Sequence, residues 1–103
     1  MPVPVDMVGP RGFAVKVKDW AMTGDDIRPG DVILIDPDKP ARPGDLACVT
    51  VSWGGGRGKV LRRIGEQGLA LESSNPNYPP MILAPESKPV AEGRAVAVIR
   101  RLE

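Results

Sequence analysis

No histidine occurs among the 103 residues, and that absence excludes more chemistry than any residue present supplies. Without imidazole there is no Ser-His-Asp or Cys-His nucleophilic arrangement and no histidine-based metal site. Proton transfer would fall to a carboxylate, a lysine or a tyrosine. Cysteine is nearly as scarce. The single Cys48 lies inside an apolar run, which allows no internal disulfide or thiolate cluster and reads as a buried structural thiol. Aromatics number four: Phe13, Trp20, Trp53 and Tyr78. That is too few for a base-stacking platform. Charge of one sign is also lacking: fourteen basic residues face thirteen acidic ones, a net +1, so the chain shows no footprint for nucleic acid or an anionic membrane. No apolar run approaches the ~20 residues that span a bilayer, and the N-terminus lacks a basic region followed by an apolar stretch. A cytoplasmic protein without metal or cofactor is the expectation.

Glycine and proline, twelve of each, are plentiful and scattered singly between short apolar runs. They punctuate strands. Residues 1–11 are interrupted by proline and read as an extended leader, leaving 12–103 as one domain. Phe13, Val15 and Val17 alternate with polar or small residues, the period of a half-buried strand. Residues 19–30 form a connection with one helical turn near Thr23 to Asp26. Val32-Ile33-Leu34-Ile35 is a continuous β-branched-rich run, which predicts a strand buried on both faces. Arg28-Pro29-Gly30-Asp31 and Arg42-Pro43-Gly44-Asp45 repeat one turn signal fourteen residues apart, each followed by an apolar run. Leu46 to Trp53 reads as a long strand. Gly54 to Gly58 reads as a hairpin tip and Lys59 to Ile64 as the returning strand. No Gly-Lys-Ser/Thr follows the glycines, so a phosphate loop is excluded. Leu69 and Leu71, Met81 to Leu83, and Val96 to Ile99 mark three further short strands, and no amphipathic helix of three turns is found. The class is mainly β, with little or no helix.

The stretch Gly12 to Pro37 resembles the active-site segment of the LexA, UmuD and phage-repressor peptidase family. In that family a strand leads into a Ser-Met pair, then an apolar residue, Gly-Asp, and a buried strand ending in Asp-Pro. Met22, Ile27, Gly30-Asp31 and Asp36-Pro37 fall in those places. Arg42 to Asp45 is similar to the family's next turn, Asn75-Pro76-Asn77-Tyr78-Pro79 to its Asn-Pro-x-Tyr-Pro loop, and Gly93 to Ile99 to its last strand. The match is collinear over residues 8–102. It implies a barrel or sandwich of short antiparallel strands like that of LexA and signal peptidase. It also implies a repressor of the SOS or phage type whose C-terminal domain pairs two chains and cuts its own linker with a Ser–Lys dyad. In such a dyad a desolvated lysine loses its proton and accepts that of the serine.

The chain departs from this pattern at both catalytic positions. Ala21 stands directly before Met22, where the resemblance puts the nucleophile, and a methyl group cannot attack a carbonyl. Arg62 stands at the lysine position in the best register of Val60 to Ile64, and a guanidinium keeps its proton. Lys59 is the alternative base, three residues away and therefore on the other face of the strand. Ala21 is either a natural loss or an engineered replacement in an active Ser–Lys peptidase, and the second departure at Arg62 favours natural decay. Trp20 and Met22 are expected beside the cleft. The Ala-Gly or Cys-Gly bond that the family cuts is absent, as is a helix-turn-helix. DNA would therefore be met only through a domain outside this chain. A homodimer is expected, with the last strand and its Val96, Val98 and Arg100 as the candidate interface if that strand is a bare apolar edge, which invites pairing; a strand inside the sheet is the alternative.

Overall fold

A computed structural model of the chain describes residues 9–66, 70–83 and 89–100. Seven strands occur: β1 (Phe13–Lys16), β2 (Val32–Asp36), β3 (Leu46–Trp53), β4 (Gly56–Ile64), β5 (Ala70–Glu72), β6 (Met81–Ile82) and β7 (Val90–Ile99). One 3-10 turn, Thr23–Asp25, is the helical element among the described residues. All strand pairs are antiparallel and build a single open sheet in the order β1-β2-β7-β3-β4-β5-β6. The mainly-β, nearly helix-free class expected from the sequence is the class observed. Met1 to Val8 of the expected leader lie outside the described residues. Gly9 is tied to the domain by its N–H, which donates to Asp36 Oδ2 at 3.3 Å.

The two Arg-Pro-Gly-Asp segments fold alike. In each the aspartate N–H donates to the arginine carbonyl three residues back, at 3.0 Å for Asp31 and 2.9 Å for Asp45. Glycine takes the positive φ between them, 97° at Gly30 and 91° at Gly44. Each aspartate Oδ2 then accepts the arginine backbone N–H at 2.9 Å, which closes the turn from the side-chain side. This is a proline-glycine turn locked by its fourth residue, and it delivers the chain into β2 and β3.

Alternation along the strands divides the core. Ile33, Ile35, Cys48 and Leu61 pack on one face with Val17, Ala21, Met22 and Ile27, and Ala47, Val49, Val60 and Ile64 pack on the other with Leu71 and Met81. Both faces are covered along Val32 to Ile35 of β2 and Leu46 to Val49 of β3, which is why those stretches run continuously apolar.

The last strand begins at Val90, six residues before the apolar signal Val96 to Ile99, because its first half is irregular. Pairing with β3 skips Glu92, and pairing with β2 skips Val96. Each skip is a β-bulge, and bulges increase local twist and bend the strand. Gly93 lies between them at φ 156°, and a Cβ there would lie 2.7 Å from the Asp36 carbonyl oxygen. Two bulges on one central strand curl the sheet, so that β4 approaches β1 although the two share no ladder. The cation–π contact of Lys59 Nζ, 5.3 Å from the centre of the Phe13 ring, spans that gap. Of the two readings of the last strand, edge or interior, the arrangement gives the second: β7 is flanked by β2 and β3. It is interior only in part, because its pairing with β3 ends at Arg94.

Candidate functional site

The segment after β1 runs from Val17, whose N–H and C=O bond Asp31 and Gly30, to the 3-10 turn at Thr23. Within it Ala21 is fully buried (0% exposed) and Met22 nearly so (1%), both inside the first core cluster. Ala21 is fixed at both backbone groups. Its N–H donates to Asp19 Oδ1 at 3.1 Å, and its carbonyl accepts the Ser74 N–H at 2.9 Å.

Arg62 reaches the same carboxylate from β4. Its Nη2 donates to Asp19 Oδ2 at 3.3 Å, and its Nη1 to the Leu61 carbonyl at 2.9 Å. The Arg62 side chain is 6% exposed, against 41% for Asp19. A guanidinium this deep needs a counter-charge, and Asp19 supplies it while its other oxygen holds the Ala21 amide. The Tyr78 ring closes one side, with its centre 5.8 Å from the guanidinium carbon. Ala21 and Arg62 thus meet around one carboxylate. Lys59 makes no such contact and lines a neighbouring cleft instead.

The loop after β5 buttresses this arrangement. Asn75 Nδ2 donates to the Trp20 carbonyl at 2.9 Å, and the Ser74 hydroxyl accepts the Asp25 N–H at 3.1 Å. Gly24 fits tightly beneath it: a Cβ there would collide with the Ser74 carbonyl oxygen. Asn75 also shapes its own turn by accepting the Asn77 N–H at 2.9 Å. The sequence reading gave none of Asp19, Ser74 or Asn75 a role. For Asn75 and Tyr78 the Asn-Pro-x-Tyr-Pro resemblance carried the signal. Asp19-Trp20 departs from the family's usual Gly-Asp before the nucleophile, but nothing local showed that Asp19 would meet Arg62.

Of the expected cleft neighbours, Trp20 is 57% exposed and its backbone bonds Tyr78 and Asn75. Met22 is buried in the first core cluster beside Ala21. A cleft of about 460 Å³ does lie beside the cluster, lined by residues 14–19 of the first strand and its continuation and by Cys48, Lys59, Val60 and Leu61. Burial pushes the Cys48 thiol up from its ordinary value, which keeps it protonated, although nearby Lys59 opposes the shift.

Of the expected interface residues, Val98 is 46% exposed, Val96 is half-buried at its bulge, and Arg100 is engaged within the chain. Arg100 Nε and Nη2 donate to Asp31 at 2.9 and 2.6 Å, and Nη2 also reaches the Asp26 carbonyl. Those bonds are the main cause holding the Asp31 carboxyl down to about 2. Among the described residues no group of three or more His, Cys, Asp or Glu side chains could hold a metal ion, and no helix is long and apolar enough to cross a membrane.

The family model described as Peptidase S24-like matches residues 1–96, a span that contains the Ala21 segment, both Arg-Pro-Gly-Asp turns, Arg62 and the Asn75 loop. The chain belongs to the Peptidase S24-like family, that of the C-terminal domains of LexA, UmuD and phage repressors.

Proposed function

We propose that this chain is the self-association domain of a LexA- or phage-repressor-type transcriptional regulator whose Ser–Lys self-cleaving site is chemically inactive. The observation that carries the reading is the shared Asp19 carboxylate, which holds the Ala21 amide at 3.1 Å and the Arg62 guanidinium at 3.3 Å. Where the family uses a hydroxyl and a neutral amine, this pair offers a methyl group and a cation, and neither nucleophile nor base is present. The carboxylate deepens the loss. A lysine placed at position 62 would sit against Asp19, and an adjacent negative charge holds an amine protonated.

The reading predicts a graded restoration in the chain fused to a linker containing Ala-Gly, with cleavage followed by mass spectrometry. Ala21→Ser alone stays inert at every pH. Ala21→Ser with Arg62→Lys cuts only at strongly alkaline pH, where the amine is free. Adding Asp19→Gly moves the onset of cleavage toward neutral pH by one or more units, since an opposite charge at this range shifts a pKa by roughly 1–3. Efficient cleavage by Ala21→Ser alone would mean that an intact peptidase had lost only its nucleophile.

Self-association is the second part of the proposal. Among the described residues β7 has a strand neighbour on one side only beyond Arg94, so Ala95 to Ile99 present an edge to them beside the exposed Val98. Two such edges meeting about a two-fold axis would pair antiparallel. DNA contact would belong to a separate domain.

A further inference from the structure

The cleft of about 460 Å³ has the size of a small-molecule pocket, and the two kinds of residue around it describe what would fill it. One kind is aliphatic. Val15, Val17, Val60 and Leu61 line the cleft together with Cys48, whose thiol burial keeps protonated. Among the described residues no aromatic ring lines it, so the cleft offers apolar contact without a face for stacking.

The other kind is cationic. Lys16, Lys18 and Lys59, all exposed, line the same cleft from two elements that share no ladder. None of the three meets a carboxylate among the described residues, whereas Arg11, Arg28, Arg62, Arg63, Arg94 and Arg100 all do. The nearby acids are engaged elsewhere. Asp19 holds Arg62 and the Ala21 amide, and Glu92 accepts the hydroxyl of Thr50, the cross-strand partner of Lys59, at 2.8 Å. Lys59 Nζ rests instead over the Phe13 ring, 5.3 Å from its centre. Nearly neutral as the whole chain is, this cleft carries unbalanced positive charge.

We propose that the cleft binds a small, soluble aliphatic phosphate monoester, its alkyl body against the valines and Leu61 and its dianionic head among Lys16, Lys18 and Lys59. Three ammonium groups exceed what one carboxylate balances, and lysine serves phosphate as a point charge without the planar fork of arginine. Burial of the alkyl body supplies affinity, and the lysines supply selectivity for the charge. A nucleotide would satisfy the lysines but give its base no ring to stack on. A lipid with the same head would have to leave its bilayer to bury a chain here. The site needs neither the nucleophile nor the base of the dyad, so it stands apart from the proposed loss of cleavage.

The test titrates hexyl phosphate into the full chain and follows amide chemical shifts. Hexanol, inorganic phosphate, hexylammonium and adenosine monophosphate serve as probes of the body alone, the head alone, the wrong charge and an aromatic body. Hexyl phosphate is expected to bind at least about tenfold more tightly than each of them and to weaken as salt is raised. The amides of Val15, Val17, Val60 and Leu61 should move, and phosphatidate vesicles should not retain the chain. Lys16→Glu with Lys18→Glu, and separately Lys59→Gln, should each lower affinity, the former by about tenfold or more. Lys39→Glu with Arg42→Glu, the same change of charge at exposed positions away from the cleft, should leave it within about twofold. Inorganic phosphate or hexylammonium binding as tightly as hexyl phosphate, tighter binding of the nucleotide, or retention on vesicles without binding of the soluble ester would each overturn the proposal. So would shifts confined to residues outside the cleft, or equal losses in the two charge-reversed pairs. None of these outcomes bears on self-association or on the graded restoration at positions 21 and 62.

Discussion

Position 62 places a permanent cation where water hardly reaches, and its carboxylate partner Asp19 keeps one foot in solvent. The Arg62 side chain is 6% exposed and that of Asp19 41%. The two halves of the pair are therefore not equivalent. Removing Asp19 strands a buried charge, while removing Arg62 frees a carboxylate that solvent can still reach. Asp19→Ala is expected to destabilise the fold by about 2–3 kcal/mol, since a half-exposed pair falls short of the full cost of breaking a buried one. Arg62→Met, which keeps the packing volume near Tyr78, should cost about 1 kcal/mol or less. Urea denaturation at pH 7 measures both. Equal losses would mean that Arg62 is solvated through the neighbouring cleft and needs no counter-charge. The residue scale also shows the limit of motif reading. Ala21 and Arg62 stand out because each breaks a recognisable pattern, whereas Asp19 looks like any loop acid until β4 is folded against it.

Among the elements, β7 has the most irregular path, and its C-terminal end is held by a side-chain clasp. Arg100 leaves the strand end and binds Asp31 and Asp26, on the two sides of the turn that opens β2. The Asp31 carboxyl is lowered from 3.8 to about 2, first by the Arg100 hydrogen bonds and further by the Arg28 N–H, against the opposing effect of burial. Because its folded value lies below the unfolded one, the stabilisation is present above about pH 4 and is lost as pH falls through about 2. Arg100→Gln should lower stability at pH 7, by less than the loss of a buried pair would cost because Arg100 is partly exposed. It should also flatten the loss between pH 4 and pH 2. Denaturant midpoints at pH 7, 4 and 2.5 compare the two proteins, and parallel profiles would show that the clasp contributes nothing. The bulges at Glu92 and Val96 explain why the sequence signal covered only the second half of this strand. A skipped residue breaks the alternation on which a strand is recognised.

For the molecule as a whole, the open sheet leaves unpaired edges where a closed barrel would have none. The Ala95 to Ile99 edge of β7 is the one proposed to be covered by a second chain. Light scattering at about 10 µM is expected to give the mass of two chains, and Val98→Lys to give that of one with an unchanged far-UV spectrum. A wild-type chain that stays monomeric at that concentration would remove the self-association half of the proposed function.

The amino-acid sequence alone determined the mainly-β class, the two locked Arg-Pro-Gly-Asp turns, the buried strand Val32 to Asp36 and the family. Each of these rests on short-range physics: period-two alternation, a positive-φ glycine after proline, or fixed spacing between motif residues. Tertiary structure alone decided that Trp20 is exposed, that β7 lies inside the sheet, and that Asp19, bonded to the Ala21 amide, meets Arg62 across 43 residues of chain. All three depend on how far the sheet curls. Curl accumulates from strand twist and from two bulges on a central strand, and no local run of residues records the sum.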